Sequence, residues 1–97
     1  MKVDAISLHL DDDVAILLAP VEAGGEVNVS AKSDRLVATA AIPVFHKICL
    51  RDLPGDAPLR RGGIVIGQTI GPVARGAHVH IHNLVSLRAR NQPQVKS

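Results

Sequence analysis

The chain reads as one small all-β domain. Three observations predict it. Its apolar runs are short and rich in Val, Ile and Leu; each is bounded by Gly, Pro or Asp; and none has the length and 3.6-residue period of a solid helix. Runs of this kind at this spacing point to a sandwich, a barrel or a related compact β fold. With 46% hydrophobic residues the chain is too apolar to be disordered, and with Phe45 as its one aromatic residue the core is built from aliphatic side chains.

In chain order, "DVAILLA" (13–19) is the first strand candidate and ends at Pro20. "DDD" (11–13), which opens it, is expected to be a solvated turn rather than a metal site, because the spaced ligands and loop glycine of an EF-hand are missing. "EVNVSA" (26–31) alternates after Gly24-Gly25, and "RLVATAAI" (35–42) ends at Pro43. "KICL" (47–50) precedes the turn-rich "DLPGDAPL"; its Cys49, the only cysteine, is expected to be a buried thiol. "GIVIGQTI" (63–70) ends at Gly71-Pro72, and "HVHIHNLV" (78–85) closes the set. Two stretches resemble each other: "APVEAGGEVNVS" from Ala19 and "GPVARGAHVHIH" from Gly71 share a proline-led turn, a glycine (Gly24, Gly76) and an alternating strand, which suggests internal pseudo-symmetry. The polar "RARNQPQVKS" end reads as a tail, so the expected division is a domain over 1–88 and a flexible tail over 89–97.

Composition narrows the function. A net charge of +2 and a single phenyl ring give little for nucleic acid to bind. No apolar stretch approaches a transmembrane length, and the acidic N-terminal region is unlike a secretory peptide, so a cytoplasmic protein with no membrane partner is expected.

The chemistry gathers near the histidines. His78, His80 and His82 alternate, so in a strand they share one face while Val79 and Ile81 face the core. Each two-residue step advances roughly 6.5–7 Å, whereas zinc-type bonds to imidazole are about 2.0–2.1 Å. A straight strand therefore offers two neighbouring histidines to one ion, and a further ligand must come from elsewhere; His46 is the natural candidate and His9 a weaker one. Metal ligation, proton transfer and anion binding all remain open to such a face. Lys47 can hold a carboxylate or phosphate as a point charge, and Arg61, on a loop before Gly62-Gly63, is a further candidate substrate-binding residue. No nucleophile–base–acid set and no phosphate-binding glycine loop is legible.

Taken together, "DDDVAILLAPVEAGGEV", "IPVFHKICL" and "RRGGIVIGQTIGPVARGAHVHIHNL" resemble the small N-terminal module of the altronate/galactarate dehydratase family, over roughly residues 8 to 88. That module is a SAF domain, a β-clip fold related to type III antifreeze proteins, with short strands and irregular loops. The resemblance maps His46 and Lys47 onto a G-H-K motif, and His80, His82 and Asn83 onto H-x-H-N, while His78 falls at a variable position. It implies catalytic roles for His46, Lys47, His80 and His82, substrate binding by Asn83, and a metal site at His80 and His82 for Fe2+, Mn2+ or Mg2+. It also implies a small acidic carbohydrate substrate and a large catalytic dehydratase subunit as partner, and leaves homo-oligomers open. The expected function is thus the small subunit of a hydro-lyase, inactive alone. The alternatives are a non-catalytic SAF module binding a sugar acid or another protein, and a simple metal-binding β protein. Phe45 stands where the pattern has glycine, Gly62 where it has tyrosine and Ala77 where it has glutamate. The five residues His46, Lys47, His80, His82 and Asn83 are expected to line one partner-facing site, Asn83 only if the strand bends or ends there.

Overall fold

The computed structural model describes residues 3–30, 35–79 and 84–86. It is all-β, as the sequence predicts, with no helix among the described residues. The strands are β1 (Ala5–Ile6), β2 (Val14–Leu17), β3 (Glu26–Val27), β4 (Leu36–Val37), β5 (Lys47–Cys49), β6 (Pro58–Arg61), β7 (Ile64–Thr69), β8 (His78–Val79) and β9 (Leu84–Ser86). They form a four-stranded sheet of order β1-β2-β5-β8, a β3-β4 ribbon and a three-stranded sheet of order β6-β7-β9, all with antiparallel neighbours.

The strands are short because the chain turns four corners built on one plan. Each corner begins at an apolar residue and reaches a positive φ three residues later: Val21 to Gly24 (φ 84°), Ile42 to Phe45 (69°), Leu53 to Asp56 (56°) and Val73 to Gly76 (88°). A positive φ at the third position is the signature of a type II turn. In the first, second and fourth corners the turn is closed by Gly25 N–H on Glu22 O (2.9 Å), His46 N–H on Pro43 O (3.2 Å) and Ala77 N–H on Ala74 O (3.0 Å). In the third, the buried Thr69 hydroxyl stands in the gap, donating to Pro54 O (2.8 Å) and accepting from Ala57 N–H (2.9 Å).

Every corner then enters a strand through the same β-bulge. Gly24 N–H donates to Ala38 O while Ala38 N–H donates to Gly25 O; the same exchange joins Phe45 and His46 to Leu17, Asp56 and Ala57 to Thr69, and Gly76 and Ala77 to Cys49. Two residues oppose one, the first of them left-handed, which is the G1-type bulge. The corners pair through their leading residues, Val21 with Ile42 and Leu53 with Val73. The pseudo-symmetry suggested by the Ala19 and Gly71 stretches therefore extends to four units.

The central sheet divides two apolar clusters, because alternate residues of a strand face opposite ways. Ala15 and Leu17 of β2 and Ile48 of β5 join Val27, Val29, Leu36, Ala38 and Ile42 in one cluster. Val14 of β2 and Cys49 of β5 join Leu53, Leu59, Val73 and Val79 in the other. Full burial of a side chain such as Leu17, Ile48 or Leu59 is worth about 1.5–3 kcal/mol.

Two expectations are corrected here. Arg60 and Arg61 lie on β6 rather than on a loop, and Gly62-Gly63, both with positive φ, form the two-residue turn of the β6–β7 hairpin. The aspartate run is a set of anchors rather than a solvated turn: Asp11 is exposed, but Asp12 and Asp13 are buried. Asp12 Oδ2 accepts Leu8 N–H (2.9 Å) and His9 N–H (3.0 Å), and its Oδ1 accepts Gly63 N–H (3.0 Å), tying the β1–β2 loop to the hairpin turn. Burial pushes the Asp12 carboxyl up, but the backbone donors of Gly62, Gly63, Leu8 and His9 together hold it below its ordinary value. Asp13 takes Arg51 Nε (2.6 Å) and Nη2 on Oδ1, and Arg60 N–H (2.7 Å) on Oδ2.

Candidate functional site

The second corner delivers the first site residue. Phe45 is the left-handed residue of its bulge, and His46 follows, paired through its backbone with Leu17 of β2. From there β5 runs antiparallel to β8, with Lys47 opposite Val79 and Ile48 opposite His78. Directly opposed residues share a face, as do residues two apart along a strand. His46 and His78 are thus diagonal neighbours on the face that carries Ile48. Their side chains meet: His46 Nδ1 lies 2.8 Å from His78 Nε2, with ring centroids 5.0 Å apart and planes tilted by 37°. Both are half-buried.

This contact has a definite chemistry. A hydrogen bond between imidazoles needs one N–H and one lone pair. The two nitrogens hold one proton between them, and full protonation of both rings would set N–H against N–H. Imidazole is a side chain suited to proton transfer near neutral pH and to ligation of first-row divalent ions, and the contact brings two of them together.

Lys47 goes elsewhere. It pairs with Ile16 on one side and Val79 on the other, so it lies on the opposite face of the sheet from His46 and His78. Arg61 sits half-buried on β6, in a different sheet; its Nε is buried without a hydrogen-bond partner among the described residues. His9 is exposed on the β1–β2 loop, its ring against Gly63. His80, His82 and Asn83, with the metal site expected at the two histidines, lie outside the described residues, as does the expected tail over 89–97. Among the described residues no three His, Cys, Asp or Glu side chains gather as a metal-holding group. Cys49 is buried, as expected; burial first, and then the Asp13 and Asp52 carboxylates, push its thiol up.

His78, which the resemblance leaves at a variable position, is the histidine whose ring meets His46. The signal for this meeting is a further copy of the corner: setting Ile42 level with Val73 puts "HKIC" and "AHV" on strands that leave equivalent bulges, and their pairing brings His46 to His78.

A profile of the altronate/galactarate dehydratase SAF domain matches residues 3–87. The chain belongs to that family. This SAF domain is 31% identical over 93 residues to the (2R)-sulfolactate sulfo-lyase subunit alpha of Chromohalobacter salexigens, covering 91% of this chain and 99% of the relative. It is 36% identical over 78 residues to the altronate dehydratase of Escherichia coli, covering 80% of this chain and 15% of that protein. It is 38% identical over 63 residues to the (2R)-sulfolactate sulfo-lyase subunit alpha of Paracoccus pantotrophus, covering 64% of this chain and 94% of the relative. Among the described residues no helix is long and apolar enough to cross a membrane.

Proposed function

We propose that this SAF domain acts as the small subunit of an elimination lyase of the sugar-acid dehydratase type, placing the His46–His78 pair at a site completed by a large catalytic subunit. The observation that carries this reading is the match to 99% of a relative that is itself called a subunit of a lyase. The altronate dehydratase relative supports it: the SAF match occupies 15% of that protein, so most of that dehydratase lies in other parts.

The substrate class is a small hydroxylated acid. Elimination beside a carboxylate removes the α proton; the electron pair left on that carbon forms the double bond, and the β substituent departs with the pair of its broken bond. Water is lost in this way when the departing hydroxyl is protonated. A divalent ion (Fe2+, Mn2+ or Mg2+), when bound in the holoenzyme, supplies Lewis acidity to the carboxylate and hydroxyl oxygens. The chain's own part is to take up or give back a proton at the His46–His78 pair, whose rings share a hydrogen bond. Lys47, on the other face, serves the partner contact or the fold rather than the same reacting atoms.

The test is co-expression with a large dehydratase subunit from the same genome and assay of altronate, galactarate and sulfolactate. The complex is expected to turn over at least one acid, and the isolated chain none. His46→Gln should lower kcat by about 10²–10⁴, the usual contribution of a positioned acid–base group. His80→Ala and His82→Ala should also abolish turnover while leaving the SAF domain folded. Turnover by the isolated chain would overturn the subunit reading. A complex that forms but works equally well with all three substitutions would leave a non-catalytic SAF module.

A further inference from the structure

The four corners share one backbone conformation but not one residue type. At the left-handed position the first and fourth have glycine, which bears no Cβ penalty, and the third has aspartate, one of the few side chains that visits this region readily. The second has Phe45, at φ 69°. A bulky residue there is strained. Its phenyl ring is also the only one in the chain, and it stands 71% exposed. Phe45 therefore combines backbone strain with an exposed apolar surface, and neither is returned by packing among the described residues. Residues that break a local rule in this way mark functional positions.

Two neighbours indicate what it serves. His46, next in the chain, is half of the imidazole pair. Pro43, in the same corner, lines a groove with Pro20, Val21, Glu22, Ala41 and Ile42, apolar but for the Glu22 side chain. An exposed ring on the same corner as a groove-lining proline, and next in the chain to a histidine of the pair, suits the centre of a protein interface, where aromatic anchors enter pockets and the surrounding contacts exclude water. A small hydroxylated acid gives a strained, exposed ring and an apolar groove no comparable burial.

We infer that Phe45 anchors this chain to the large catalytic subunit, its ring filling an apolar pocket of that partner beside the His46–His78 pair. This rests on the subunit reading above. The strain at Phe45 is maintained because the ring is needed in the assembled enzyme and not in the isolated domain.

The experiment separates the two halves of that statement. Thermal unfolding of the isolated chain is compared for wild type, Phe45→Gly and Phe45→Asn, and the affinity of each for the co-expressed large subunit is measured by titration calorimetry. Both substitutions relieve the left-handed strain and should raise Tm by about 4–8 °C, the shift that about 1 kcal/mol brings in a domain of this size. Both should weaken binding to the large subunit at least tenfold, as loss of an interface hot spot does, while Phe45→Leu, which keeps an apolar side chain, loses less. A rise in Tm with loss of binding supports the inference. Equal binding by wild type and Phe45→Gly overturns it and leaves the subunit reading standing. A fall in Tm for both variants overturns the strain argument. Failure of the wild-type chain to bind any large subunit overturns both readings, and loss of self-association alone assigns the ring to a second copy of this chain instead.

Discussion

Gly76→Ala and Gly24→Ala form a matched pair that tests the corner architecture. Both glycines occupy the left-handed position of a corner, at φ 88° and 84°. The conformational penalty of adding a Cβ is therefore alike, about 1–2 kcal/mol, and the loss of unfolded-chain entropy that offsets part of it is alike too. Their surroundings differ. A Cβ on Gly24 meets nothing within 4 Å, whereas one on Gly76 would lie 2.1 Å from Val37 O and 3.4 Å from Thr39 Cγ2. Backbone must retreat by roughly 1 Å to restore ordinary contact distances. The retreating segment is β4 and its continuation, which holds Thr39 N–H on Gly76 O (2.9 Å) and buries Leu36 and Ala38. Losing that hydrogen bond costs about 1 kcal/mol, and overpacking a further 1–3 kcal/mol, roughly. Gly76→Ala should thus cost about 2–4 kcal/mol more than Gly24→Ala, a large part of the roughly 5–15 kcal/mol that holds a domain folded. The chain has no Trp or Tyr, so urea unfolding is followed by far-ultraviolet circular dichroism. Equal midpoints for the two variants would refute the reasoning, because the close approach of corner and strand would then have no energetic weight.

Three further outcomes are expected. Asp12 has a folded pKa below its ordinary 3.8, so its stabilisation is present above that value and is lost as pH falls through the lower folded value; Asp12→Asn should flatten the acid limb of the stability curve, and an unchanged limb would count against the backbone cradle. Arg51→Ala should cost about 3–5 kcal/mol by denaturant titration, because it strands the fully buried Asp13 charge; Asp13→Asn should cost less, since the largely exposed Arg51 returns to water, and the reverse order would refute this. The buried Cys49 thiol, raised above its ordinary 9.0, should resist a disulfide reagent at pH 7.5 until the chain is unfolded in urea, whereas rapid native labelling would place it at the surface.

The fold class was legible because short β-branched runs between Gly and Pro admit little else. Two of the four corners were legible for the same reason, since Gly24 and Gly76 announce themselves. The others were not, because Phe45 and Asp56 take the same backbone conformation without the residue that signals it. The aspartate run was misread because Asp12 and Asp13 are satisfied by Gly63, Arg51 and Arg60, partners far along the chain. The site divides similarly. His46 and Lys47 stood out as neighbours in sequence, yet one bulge and one strand step put them on opposite faces. His78 carried only alternation as a signal, and its meeting with His46 depends on a register that two corners set together.

Those corners also bear on how the chain reaches its native state. None completes its bulge on its own. The fourth completes its bulge against Cys49 and lays Gly76 on the Val37–Thr39 backbone, and the second waits for Leu17. Distant segments must therefore be brought together before the contacts of the corners appear. A topology dominated by such non-local closures folds on the millisecond-to-second scale rather than in microseconds. A nascent SAF domain would stay without its imidazole pair until synthesis has passed His78, since that ring sits on a strand that only the last corner introduces.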